Sequence, residues 1–167
     1  SAIDEFLSAE PAHVMALLLS MAKRLPSAMR YQKRRLWGQE LLWNEHPRAR
    51  EIAGATLGLV GLGSIGQEVA KRAAAMEMKV IAVRGSNRAE ATPSVSQVHG
   101  PEELDRVLEA ADYLVLAAPV TAQTKEMINA DRLAKMKKGC YLINVARGAL
   151  VDEAALRFLT AFIYPLF

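Results

Sequence analysis

The stretch "TLGLVGLGSIGQEVAKRAAAM", residues 56–76, constrains the fold more than any other part of the chain. An apolar run ends in Gly61, Gly63 and Gly66, spaced G-x-G-x-x-G, and an amphipathic segment follows at once. The spacing alone also occurs in loops that bind nothing, so its setting decides. A strand closed by these glycines and reopened as a helix is the front of a βαβ unit. There each glycine does something different. Gly61 allows the tight turn off the strand, Gly63 the close approach of backbone to a pyrophosphate, and Gly66 the packing of helix on strand. Free N–H groups and the positive dipole end of the helix at Ser64 to Gly66 would meet the phosphate charge. Gly61, Leu62, Gly63, Ser64, Ile65 and Gly66 are therefore the candidate pyrophosphate cradle.

The rest of the chain repeats the alternation. "KVIAV", "YLVLA" and "CYLINV" are short apolar strands, separated by the helical patterns "PEELDRVLEAA" and "NADRLAKMKKG". Asn129 and Asp152 stand as N-caps, Pro101 opens a helix, and Gly139 follows a lysine-rich helix end. The inward side of the first helix after the glycines is expected at Ile65, Val69, Ala73 and Met76. "GSNRAEATPSVSQVHG" reads as one long polar loop. Near-continuous apolar strands alternating with helices predict an α/β fold, a Rossmann-type doubly wound parallel sheet with helices on both faces.

Before this region, Val14, Leu17, Leu18, Met21 and Leu25 fall on one helical face, predicting a helix over 9–25 with Ser8 as N-cap and Pro11 in its first turn. Six basic residues lie between Lys23 and Arg35 with no acid among them. They form a solvated helix face or a basic rim beside an anionic ligand. The apolar run "AHVMALLLSMA" is too short to span a bilayer and has no basic region before it, so no membrane partner and a cytoplasmic location are expected. The net charge is only +3 and aromatics are 6%, which does not support nucleic-acid binding. One cysteine, Cys140, excludes an internal disulfide framework. No metal site is expected.

The end of the second strand discriminates between cofactors. An NAD site usually places Asp or Glu there to bind the ribose 2′-hydroxyl. Here "KVIAVRGSNR" places Arg84 at that point, with Ser86 and Arg88 following. A guanidinium pairs with a 2′-phosphate where an acid would repel it, so NADP(H) is the preferred cofactor and NAD(H) a possible one. The plain alternative is that Arg84 is a surface arginine.

"VGLGSIGQEVAKRAAAMEMKVIAV" and "AAPVTAQTKEMINADRLAKMKKGCYLINVARGALVDEAAL" together resemble the D-isomer-specific 2-hydroxyacid dehydrogenases. The N-terminal "AEPAHVMALLLSMAKRLPSAMRYQKRRLWG" is similar to the long helical segment that builds the family's dimer. The likeness covers roughly residues 8–156 and implies a role for each matching position. Arg147, in "NVARG", matches the arginine that binds the carboxylate and carbonyl of a 2-oxoacid, a role that suits a fixed guanidinium beyond the fourth predicted strand. A surface arginine in a turn is the plain reading of the same residue. Ala118 and Pro119 match the loop along the nicotinamide ribose, Thr124 a threonine near the cofactor, and Val145 and Ala146 the residues flanking the nicotinamide. The resemblance implies a homodimer acting on a small 2-oxoacid or 2-hydroxyacid, such as glyoxylate or hydroxypyruvate. A non-catalytic, corepressor-like NAD(P)-binding dimer is the alternative.

The chain also departs from the family pattern. The family's glutamate and histidine acid–base pair follows the arginine, whereas His13, His46 and His99 all precede Arg147. Glu153 lies in a first helical turn and suits the dipole rather than proton transfer. The expected organisation is a helical dimerisation segment over 1–50, a dinucleotide-binding domain over 51–156 and a divergent apolar tail over 157–167. The chain resembles the cofactor half alone, cut short, and is expected to be inactive by itself.

Overall fold

The computed structural model describes residues 2–85 and 93–157, without the side chains of residues 2–8. Three helices come first, α1 (Ala2–Ala22), α2 (Leu25–Lys33) and α3 (Gln39–Asn44). The alternating region then runs β1 (Thr56–Val60), α4 (Ser64–Ala75), β2 (Lys79–Val83), β3 (Gln97–His99), α5 (Leu104–Ala110), β4 (Tyr113–Leu116), α6 (Ala130–Lys135) and β5 (Tyr141–Asn144). Residues 153–157 are helical.

The strands form one parallel sheet in the order β3-β2-β1-β4-β5. This is the predicted doubly wound sheet. The chain moves outward from β1 through β2 to β3, then returns to the other side of β1, so the order reverses between β1 and β4. Ligands of open α/β sheets bind outside the carboxyl ends of the strands at such a reversal.

Side chains alternate across the pleat and supply two cores. Tyr113 and Val115 of β4 join Leu57 and Leu59 of β1, Val80 of β2, Val69 and Ala73 of α4, and Val14 and Leu18 of α1. Leu114 and Leu116 face the opposite way with Val60, Ile81, Val107, Leu108, Ile128 and Leu150. Both faces are covered, which is why β1, β2 and β4 are buried almost throughout rather than alternating.

The caps follow expectation. Asn129 Oδ1 accepts the Arg132 N–H at 3.0 Å and Asp152 Oδ1 accepts that of Ala155 at 3.0 Å. Four details differ. Helix α1 begins at Ala2, so Ser8 lies inside it rather than capping it, and Pro11 sits in its interior. Its buried face is Val14, Met15, Leu18 and Ala22, with Leu17 exposed and Leu25 in the next helix. Residues 14–19 are apolar on every side, so periodicity could not choose the face, and packing on α4 and β5 chose it. In α4 the buried side is Gly66, Val69, Ala70 and Ala73, while Met76 is exposed past the helix end.

The polar stretch before residue 100 contains β3, which pairs Ile81 with Gln97 and Val83 with His99. Three residues are too few to show a period of two, and backbone pairing to β2 makes the strand. Pro101 opens a short 3-10 turn to Glu103, and α5 starts only at Leu104.

The basic stretch is partly neutralised from within. Arg24 Nη2 lies 2.9 Å from Glu45 Oε2, and Lys23 Nζ lies 2.6 Å from Glu51 Oε1. Arg30 reaches the other Glu45 oxygen at 3.9 Å, where the Tyr31 hydroxyl also donates at 2.8 Å.

Candidate functional site

The carboxyl edge of the sheet collects the predicted residues in a row. Arg84 follows β2, the glycine turn follows β1, Ala118 and Pro119 follow β4, and Val145 to Arg147 follow β5. With strands about 4.8 Å apart, the row from β2 to β5 spans about 14 Å.

At the middle of the row two of the three glycines show a packing reason. Gly61 has φ +102°, and a Cβ there would lie 2.7 Å from the Ala117 carbonyl and the Ala118 nitrogen. A Cβ on Gly66 would lie 2.2 Å from the Gly61 carbonyl oxygen, so helix and turn touch backbone to backbone. At Gly63 a Cβ would meet nothing within 4 Å. The first two glycines are required by the protein's own packing. Gly63 is not, and open space lies where its Cβ would be.

That space faces the start of α4. Its N-cap, Gly63, offers no side-chain oxygen, and the first helical amide donating along the chain is that of Gln67, to Gly63 O at 2.9 Å. The N–H groups of Ser64, Ile65 and Gly66 thus carry the positive end of a 12-residue helix. Ser64 is exposed and Leu62 is buried beneath the turn. An uncapped, dipole-oriented donor set beside cleared space fits a pyrophosphate.

On the β2 side, Arg84 N donates to His99 O at 3.0 Å, which fixes its backbone at the strand end. Ser86 and Arg88 lie outside the described residues. On the β4 side, Ala118 is buried at 8% exposure and Pro119 is exposed. The Thr124 hydroxyl is turned inward on its own loop, donating to Pro119 O at 2.7 Å and accepting from Thr121 N at 2.7 Å.

Beyond β5, Val145 and Ala146 are half-buried and Arg147 is exposed. Arg147 Nη1 donates to Ala146 O at 2.9 Å, and the guanidinium has no acidic partner among the described residues. One residue that sequence reasoning missed sets this turn. Asn144 Nδ2 donates to Arg147 O at 2.9 Å while its Oδ1 accepts the Ala146 N–H at 3.0 Å. An asparagine at a strand end, two residues before the amide it accepts from, is a turn signal that "NVARG" does contain.

The histidines are elsewhere. His99 is on β3, four strands from β5 and therefore about 19 Å away across the sheet. Its Nδ1 lies 3.4 Å from Glu103 Oε2. His13 is exposed on α1, and His46 bonds to Asn44 O in the N-terminal segment. Glu153 lies 3.5 Å from Arg157 within its own helix.

The chain as a whole is similar to known proteins. The family profile for "D-isomer specific 2-hydroxyacid dehydrogenase, NAD binding domain" matches residues 15–160. The chain belongs to that family. Glycerate dehydrogenase of Methylorubrum extorquens is 37% identical over 148 residues, which cover 87% of this chain and 44% of that one. Hydroxypyruvate reductase of Thermotoga maritima is 39% identical over 145 residues, covering 85% and 43%. The chain thus spans less than half the length of these relatives. The structure of a D-isomer specific 2-hydroxyacid dehydrogenase from Xanthobacter autotrophicus Py2, in complex with NADPH and MES, superposes with a TM-score of 0.81 at 30% identity. The match covers 95% of this chain and 62% of that one. The sheet described above is this family's NAD-binding domain, and no described helix is long and apolar enough to cross a membrane.

Proposed function

We propose that this dehydrogenase domain binds NADP(H) in preference to NAD(H) and serves the reduction of a small 2-oxoacid of the glyoxylate or hydroxypyruvate type. The observation that carries the reading is the row along one sheet edge: a guanidinium, a pyrophosphate cradle, a loop, a second guanidinium. Arg84 takes the 2′-phosphate end. The amides of Ser64 to Gly66 hold the pyrophosphate, and Val145 and Ala146 flank the nicotinamide. Arg147 then holds the carboxylate of the oxoacid bidentately and polarises the carbonyl that is reduced. Bound there, the nicotinamide supplies a hydride. The names of the two relatives, and the NADPH held by the solved homologue, support the substrate and cofactor classes.

Reduction also needs a proton for the carbonyl oxygen. None of the three histidines of this chain reaches the turn of Arg147, so this polypeptide alone is expected to bind cofactor without turning over glyoxylate. That same observation favours a second reading, a non-catalytic NAD(P)-binding dimer. Turnover separates the two: addition of glyoxylate and NADPH to a longer form of the protein restores oxidation of NADPH under the first reading and not under the second.

Homodimerisation through the N-terminal helices is part of the proposal. Met29, Trp37 and Trp43 are 67%, 87% and 71% exposed, and Leu25, Leu36 and Leu41 are 47%, 44% and 44% exposed. Large apolar side chains left exposed along one short segment support the reading of an interface there. Fluorescence titration tests the cofactor preference: NADPH is expected to bind at least about tenfold tighter than NADH, the worth of one charge-assisted pair. Equal or NADH-favoured affinity would contradict it.

A further inference from the structure

The loop after β4 is held by two threonines that clasp one another. Thr124 Oγ1 donates to Pro119 O at 2.7 Å and accepts from Thr121 N at 2.7 Å. In return Thr121 Oγ1 accepts the Thr124 N–H at 3.2 Å, and the two hydroxyl oxygens lie 3.2 Å apart. A hydroxyl has one hydrogen and two acceptor sites. The Thr124 hydrogen goes to Pro119, so the hydrogen between the two oxygens comes from Thr121. Every hydrogen-bonding position of the Thr124 hydroxyl is then filled by its own loop.

The loop so closed has a fixed lower end and a functional upper end. Met127 and Ile128 are buried at 8% and 0% exposure, with Ile128 N donating to Leu150 O at 3.1 Å. At the upper end the Ala117–Ala118 peptide sits against Gly61, where a Cβ would come within 2.7 Å. Between them, residues 119–123 are exposed.

We infer that Thr124, acting with Thr121, is a positioning residue for the dinucleotide: it holds the Ala118–Pro119 wall against the glycine turn and does not itself touch the cofactor. The inference rests on the proposed binding of cofactor at that turn, and it gives Thr124, expected near the cofactor, an indirect role. Valine has the same shape as threonine without the hydroxyl, whereas serine keeps the hydroxyl.

The test compares Thr124→Val and Thr124→Ser with the unmodified chain in two measurements. One is the rate of limited trypsin cleavage after Lys125, followed by mass spectrometry on the cofactor-free protein. The other is the Kd for NADPH by fluorescence. Thr124→Val is expected to speed cleavage several-fold and weaken NADPH about tenfold, through loss of the clasp's hydrogen bonds. Thr124→Ser is expected to leave both near their original values, and Thr121→Val to behave like Thr124→Val.

Weaker NADPH binding with unchanged cleavage would mean direct contact and would overturn the inference. Faster cleavage with unchanged affinity would overturn it as well, since the loop would then not shape the site. Equal cleavage and affinity in all variants would remove the clasp altogether. Failure of the unmodified chain to bind NADPH would refute the proposed function and this role with it. The cleavage contrast between valine and serine would still report whether the clasp holds the loop.

Discussion

A methyl group on Gly66 would stand 2.2 Å from the Gly61 carbonyl oxygen, an overlap that only backbone movement can relieve. Gly66→Ala is therefore expected to destabilise the domain by about 3 kcal/mol, read as a lower denaturant midpoint. Cys140 gives a second prediction. Burial pushes its thiol up to about 12 from an ordinary 9.0. Three pH units mean about a thousandfold less thiolate, so alkylation by iodoacetamide at pH 8 should be very slow until urea unfolds the chain. Rapid labelling of the folded protein would contradict the burial.

The packing roles of Gly61 and Gly66 were legible in the sequence because each follows from the lack of a Cβ at a fixed place in a strand–turn–helix. The role of Thr121 was not, because its meaning lies in which loop amide or hydroxyl its side chain meets and spacing does not specify that. Asn144 did carry a signal, a strand-end asparagine two residues before the amide it accepts from, which the reading of "NVARG" passed over.

Elements were legible where both their ends carried chemical signals. Strands β1, β2, β4 and β5 stood between glycines, caps and helical patterns, whereas β3 has three residues and exists through its pairing with β2. The N-terminal helices are joined by a polar cluster that no periodicity foretold. Burial alone would raise the Glu45 carboxyl, but hydrogen bonds from Ser27, Tyr31 and Arg24 outweigh it and hold the group below its ordinary 4.5. A depressed carboxylate contributes stability that is present above the unfolded value and is lost as pH falls through the folded one. Asp105 behaves likewise: its hydrogen bond with Lys135 is the largest influence and, aided by Arg132, holds it below 3.8. Unfolding free energy should therefore decline below about pH 4.5. Glu45→Gln is expected to cost about 1–2 kcal/mol at pH 7, through weakened bonds to Arg24 and Tyr31. By pH 3 the difference from the unmodified chain should shrink. A constant difference between urea titrations at the two pH values would exclude an ionised Glu45 as the keystone of this corner.

At the scale of the whole molecule, topology brings residues scattered in the sequence to one sheet edge. Arg84 and Arg147 are far apart in sequence, yet β2 and β5 lie on either side of β1 and β4, so both flank the reversal of strand order. The fold class was legible because alternation of apolar strands with helices admits few sheets, and the right-handed crossover rule removes most of the rest. The exposed apolar side chains of α2 and α3 predict a dimer in sedimentation, and a monomer at tens of micromolar would count against that surface as an interface.

The central claim is that the space before α4 is kept clear for a dinucleotide. Gly63→Ala tests it most directly, because a Cβ there meets no protein atom within 4 Å. The account predicts that the variant keeps the thermal midpoint of the unmodified chain while its NADPH affinity falls by about tenfold or more. An unmodified chain that binds no NADPH, or a Gly63→Ala variant that binds it equally well, would contradict it.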